Sequence, residues 1–145
     1  MYILDTDYLG ILQSQNDPVF LRLWEKIIKQ DFHNFFVTII SFHEQIAGWF
    51  SYLNKAKSIK EVAKGYLMFQ GILKDFTSFQ VLGYDDSSAK IFADMRKSRV
   101  RIGTMDLRIA SIALAQGFTV LSRNLVDFEK VPNLKVEDWT VDHST

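Results

Sequence analysis

Short apolar runs that alternate with longer helical segments predict an α/β protein, a three-layer α/β/α sandwich around a central, mostly parallel sheet. Two observations carry this. The apolar runs at residues 2–4, 35–40, 79–82, 118–121 and 134–136 are too uniformly hydrophobic to leave one sheet face wet. The segments between them carry helix signals and are long enough for right-handed crossovers.

The first run, Tyr-Ile-Leu, ends at Asp5 and is followed by a helical segment. Asp17-Pro18 reads as an N-cap with proline at the first helical position. The run at 35–40 is β-branched and aromatic, as a strand requires, and Ser41-x-x-Glu44 after it has capping-box spacing. Phe42, Ile46, Trp49, Phe50 and Leu53 then form one stripe, read as core, with Glu44 nearly opposite. Ser58-x-x-Glu61 is a second capping box, and a further helix is expected to begin near Asp86. The segment MDLRIASIALAQ is apolar almost all round, so its helix is substantially buried, and Gly117 marks its stop.

Composition bounds the function. At 145 residues, with 48% apolar and 23% charged residues, the chain suits a single domain, here residues 1–141 with a short tail at 142–145. The absence of cysteine excludes disulfides and thiolate metal sites, leaving oxygen or histidine ligands. His33, His43 and His143 show no ligand spacing. No basic leader precedes the first run and no uncharged stretch reaches the roughly 18 residues of a membrane span, so a cytoplasmic protein with no membrane partner is expected. The net charge of zero gives no general basic signature, so any nucleic-acid binding must rest on local sites.

Ligands of parallel α/β folds bind beyond the carboxyl ends of the strands. Asp5 follows the first run directly, Glu44 the second, and Asp127 lies a few residues beyond the fourth, while Asp106 stands at the start of the buried helix. Singly, such acids serve as caps or favour a helix's positive end. As a set at one sheet edge they repel one another unless a cation compensates, and carboxylate oxygens suit Mg²⁺ or Mn²⁺.

Four segments resemble the VapC-type PIN domain over almost the whole chain: YILDTDYLG, SFHEQIAG, RIGTMDLRIASIALAQGFTVLSRN and LVDFEKVPNLKVEDW. The last two together are specific. The resemblance implies a metal-dependent endoribonuclease, the toxin of a toxin–antitoxin pair. It identifies Asp5, Glu44, Asp106 and Asp127 as catalytic metal-site acids and places Ser122 and Asn124 behind them. It also implies an RNA substrate, a VapB-like antitoxin and a homodimer. Asp7 stands where Asn or Ser is more usual, adding a carboxylate near the site.

Arg123, between Ser122 and Asn124, is the best substrate-contact candidate, and Arg96, Lys97, Arg99 and Arg101 offer further positive charge before the Asp106 helix. Arg96 and Lys97 are equally read as complementing a helix C-terminus. Two other functions compete. Asp5-Thr6-Asp7 also resembles the strand-end motif of haloacid-dehalogenase-like phosphatases, with Asp5 as nucleophile, although no suitable strand-end lysine follows. The third reading is a catalytically silent PIN-like binding module.

Overall fold

The computed structural model describes residues 1–142. Five parallel strands, β1 (Tyr2–Leu4), β2 (Phe35–Thr38), β3 (Val81–Leu82), β4 (Thr119–Leu121) and β5 (Val136–Glu137), lie in the order β3-β2-β1-β4-β5. Helices α1 (Thr6–Ser14) and α2 (Phe20–Ile27) connect β1 to β2, and α3 (Ile39–Lys55) and α4 (Ile59–Ser78) connect β2 to β3. Helices α5 (Asp86–Lys97) and α6 (Thr104–Gln116) lead across to β4, and the short α7 (Leu125–Phe128) precedes β5.

Strand alternation builds the layers. Ile3 and Val120 face one core with Leu107, Ile109, Ile112 and Phe128, while Leu4, Leu121, Phe35 and Val37 face another with Tyr8, Leu9, Leu23 and Phe76. Successive side chains of a strand point to opposite faces, so a sheet apolar on both faces sits between two cores. The α/β/α sandwich is as expected. The tail expected at 142–145 lies, apart from Asp142, outside the described residues, as does His143.

Four local expectations are corrected. Ile39 and Ile40 belong to α3 rather than to the second strand, because Thr38 leaves the sheet in extended geometry and its buried hydroxyl accepts from Ser41 N at 3.2 Å. The N-cap is therefore Thr38, not Ser41, and Glu44 falls in the second turn of α3. Helix α2 starts at Phe20 and its N-cap is Val19. Asp17 instead closes the preceding turn, its carboxylate accepting from Val19 N at 3.0 Å. Of the α3 stripe, Phe42, Ile46 and Trp49 pack against the core, but Phe50 is 56% exposed. The N-cap half of the second capping box holds, with Ser58 Oγ accepting from Glu61 N at 3.1 Å, while the Glu61 carboxylate accepts from the Ser58 hydroxyl at 3.0 Å. Gly117 stops α6 in the left-handed conformation at φ 72°.

Candidate active site at the carboxyl edge of the sheet

The strand order reverses at β1, whose two neighbours β2 and β4 are reached by connections running in opposite directions. Such a switch point opens a crevice at the strand carboxyl ends. Asp5, directly after β1, and the segment Ser122, Arg123 and Asn124, directly after β4, border this crevice. A cavity of about 560 Å³ opens there, lined by Asp5, Thr6, Asp7, Glu44, Asp106, Arg123 and Asn124.

Asp5 continues the β1 ladder through its N–H to Leu121 O at 3.2 Å. It then turns the chain as N-cap of α1, its Oδ1 accepting from Tyr8 N at 2.8 Å. The side chain is 5% exposed. Burial pushes its pKa up to about 6, and the charges of Asp7 and Asp106 add to the rise. Hydrogen bonds from Ser122 and Tyr8 N oppose it without cancelling it.

Asp106 stands in the first turn of α6, half-buried. Its pKa is raised, first by desolvation and then by the charges of Glu44 and Asp127. Asn124 bridges two acids, its Nδ2 donating to Asp106 Oδ2 at 3.4 Å and Asp127 Oδ2 at 3.0 Å. Asp127 does not itself line the cavity; Asn124 and Lys130 hold its pKa low. Ser122 is fully buried, and its Oγ accepts from Asn124 N at 2.9 Å, which fixes the loop that carries both Asn124 and Arg123.

Glu44 reaches the crevice despite its phase, because α3 begins close to β1. Thr6 Oγ1 donates to Glu44 Oε1 at 2.7 Å and lies 2.9 Å from Ser41 Oγ. A hydroxyl has one proton, so Ser41 is the donor to Thr6, and the relay aims the Glu44 carboxylate. Sequence reasoning did not single out Thr6. The available signal was a hydroxyl residue immediately after a strand-end Asp.

The basic residues divide. Arg123 meets Asp7 as a fork, Nε to Oδ2 at 2.7 Å and Nη2 to Oδ1 at 2.8 Å. Arg96 donates to Ile102 O and Thr104 Oγ1 and lies over the Phe92 ring, tying the end of α5 to the start of α6. Lys97, Arg99 and Arg101 are exposed, and none of the four basic residues at 96–101 lines the cavity.

Among the described residues, no three acids or histidines stand close enough to form a ready metal cage. The donor chemistry still fits a hard cation. Asp5, Asp106 and Glu44 line one opening with oxygen ligands only, and Mg²⁺ commonly takes one or two carboxylates while keeping several waters. Asp5 and Asp106 are both raised first by desolvation and then by neighbouring carboxylates, a cost of charge that a bound cation would relieve.

Fold and site together define a parallel α/β/α domain with an acidic crevice at the sheet switch point. No family model matches the chain. Among curated proteins, it is 33% identical over 73 residues to the tRNA(fMet)-specific endonuclease VapC of Salmonella typhimurium, covering 47% of this chain and 55% of that one. The chain thus spans about half the length of that relative. It is 23% identical over 140 residues to ribonuclease VapC1 of Haemophilus influenzae, covering 97% and 98% of the two chains. The solved VapBC-1 structure from nontypeable Haemophilus influenzae shares the fold, with a TM-score of 0.74 and 20% identity over 97% of this chain and 98% of that chain. The resemblance to VapC proteins is borne out: the chain has their fold and is similar to them in sequence.

Proposed function

We propose that residues 1–141 form one PIN-like domain acting as a metal-dependent endoribonuclease, the toxin half of a VapBC-type pair. The observation that carries this reading is the convergence of Asp5, Glu44 and Asp106 on one cavity at the switch point, in a chain similar to ribonucleases named VapC. Asp5 and Asp106 would hold a Mg²⁺ or Mn²⁺ ion, with Glu44 and Asp127 beside them. The bound ion would supply positive charge for the phosphate and a water of lowered pKa. Thr6 keeps Glu44 turned into the crevice, where it can accept a proton from water. Asn124 keeps Asp106 and Asp127 at a fixed separation. Cleavage would leave a 5′-phosphate and a 3′-hydroxyl.

The phosphatase reading requires a lysine for the phosphoryl charge, and none lines the cavity among the described residues. A silent binding module would have no use for the Thr6 relay onto Glu44.

The partner is proposed to be an antitoxin, since solved structures of similar fold include VapBC complexes. Its amphipathic helix would cover the apolar cavity of about 320 Å³ lined by Leu12, Trp24, Ile27, Phe32 and Phe79. A basic side chain of that partner would enter the acidic crevice in place of the cation. A homodimer would set two crevices along one groove carrying Lys97, Arg99 and Arg101. No helix among the described residues is long and apolar enough to cross a membrane, and the proposed RNA substrate supports a cytoplasmic location.

Incubation of the purified protein with end-labelled RNA, with Mg²⁺ or with EDTA, tests the activity. Cleavage with Mg²⁺, lost in chelator and in Asp5→Asn, is expected. Cleavage persisting in EDTA would overturn the metal-dependent mechanism, and the absence of cleavage under every condition would favour the silent module.

A further inference from the structure

Asp7 and Arg123 face each other across the mouth of the crevice, one in the first turn of α1 and the other just after β4. Their side chains are 48% and 41% exposed. An ion pair so wet contributes little to stability. Its geometry has another consequence. The carboxylate engages Nε and one N–H of Nη2, whereas a guanidinium carries five N–H donors. Three remain, two on Nη1 and one on Nη2, along the edge that suits a second bidentate acceptor. The backbone beneath is fixed as well, because buried Ser122 holds Asn124 N.

Arg123 is also the single cation among the described residues lining the crevice, opposite Asp5, Glu44 and Asp106. Every other charged side chain that an anionic strand would meet in this crevice is a carboxylate. A free arginine would give up rotamer freedom on binding, whereas a clamped one is already oriented.

We propose that Arg123 binds a phosphate of the substrate strand through its outer N–H edge and that Asp7 is a positioning residue that holds the guanidinium in place rather than a metal ligand. This rests on the nuclease reading and adds to it a defined subsite for the phosphodiester backbone. Arg123 pairs with the Asp7 carboxylate, although the charge of Asp7 still adds to the rise at Asp5.

The test measures cleavage kinetics and, separately, anisotropy of labelled single-stranded RNA in EDTA, for the wild type, Asp7→Ala, Arg123→Ala, Arg123→Lys and the double alanine variant. Each alanine variant is expected to weaken RNA binding roughly tenfold, with the kinetic loss carried by KM. The double variant should be no worse than Arg123→Ala alone, since Asp7 acts only through Arg123. Arg123→Lys should recover part of the affinity and become insensitive to a further Asp7→Ala change. An Asp7→Ala defect that persists in the Arg123→Ala background, or that shifts the Mg²⁺ concentration needed for cleavage, would overturn the proposal in favour of a metal-site acid. Unchanged RNA affinity in both single variants, with wild-type cleavage intact, would overturn it while leaving the nuclease reading standing. RNA binding that depends on both residues in a protein that does not cleave would do the reverse. A wild type that neither binds nor cleaves RNA would remove both.

Discussion

At the scale of single residues, Asp5 is costly to the empty fold. Its folded pKa of about 6 lies above the ordinary 3.8. Between those values the native state holds the proton more tightly than the unfolded chain, so stability falls as pH rises through this window and stays reduced above it. The two-unit difference is about 3 kcal/mol at neutral pH, as an upper bound. Asp5→Asn keeps an oxygen for the Tyr8 N–H and removes the charge, so without divalent cation it should unfold several degrees higher than wild type at pH 7.5. The difference should shrink as pH falls and vanish only well below the ordinary value of 3.8, where Asp5 is protonated in both states; a gap independent of pH, in thermal melts in EDTA, would contradict the assignment. Thr6 makes the complementary case. Thr6→Val preserves shape but removes the donor to Glu44 and the acceptor for Ser41. Loss of an aiming hydrogen bond in an active site is expected to lower kcat by about ten- to a hundredfold. Single-turnover cleavage under saturating enzyme would measure it.

At the scale of elements, the caps that were legible and those that were not differ in one respect. Ser58 and Glu61 lie on an exposed turn, where local pattern decides, and Gly117 is required by its positive φ. At the start of α3 the tertiary structure decides instead. Thr38 is fully buried and serves as both the last strand residue and the cap, which frees Ser41 to reach Thr6 across 35 positions of sequence. A window of a few residues cannot distinguish those two serine roles. The α3–α4 hairpin supplies a test of packing. Gly65 is buried where α4 crosses α3, and a Cβ placed there would run into the Leu53 side chain. Gly65→Val should therefore force the helices apart and destabilise the protein by about 1–3 kcal/mol, read as a lower denaturant midpoint. Midpoints equal to wild type would show that Leu53 moves aside freely.

At the scale of the whole molecule, strand alternation and apolar runs made the sandwich legible, and the strand-end acids pointed to one edge. Contacts between residues far apart in sequence were not legible. Tyr8 OH donates to Asp138 Oδ1 and accepts from Trp139 N, both at 2.6 Å, pinning the segment after β5 onto α1 behind Asp5. No local pattern announces a pairing 130 residues long. The apolar cavity proposed to take a partner is of the same kind, assembled from α1, α2, the turn before β2 and the end of α4. Trp24 stacks on Phe20 at its rim and is 40% exposed, so it can meet an incoming apolar side chain without being needed to close the core. Aromatic residues in this position commonly dominate binding, and truncating one costs about 2 kcal/mol or more, roughly thirtyfold in affinity. The wild-type chain expressed alone should therefore arrest growth, Asp5→Asn should not, and co-expression of the cognate antitoxin should restore growth. Trp24→Ala should keep its RNase activity and toxicity but escape the antitoxin, since the change lies outside the acidic crevice. Growth assays with paired plasmids and affinity measurement on the purified pair would read this directly. If Trp24→Ala is neutralised as well as wild type, the partner does not use this groove; if the wild type is harmless despite cleaving RNA in vitro, the toxin role gives way to an ordinary RNA-processing nuclease.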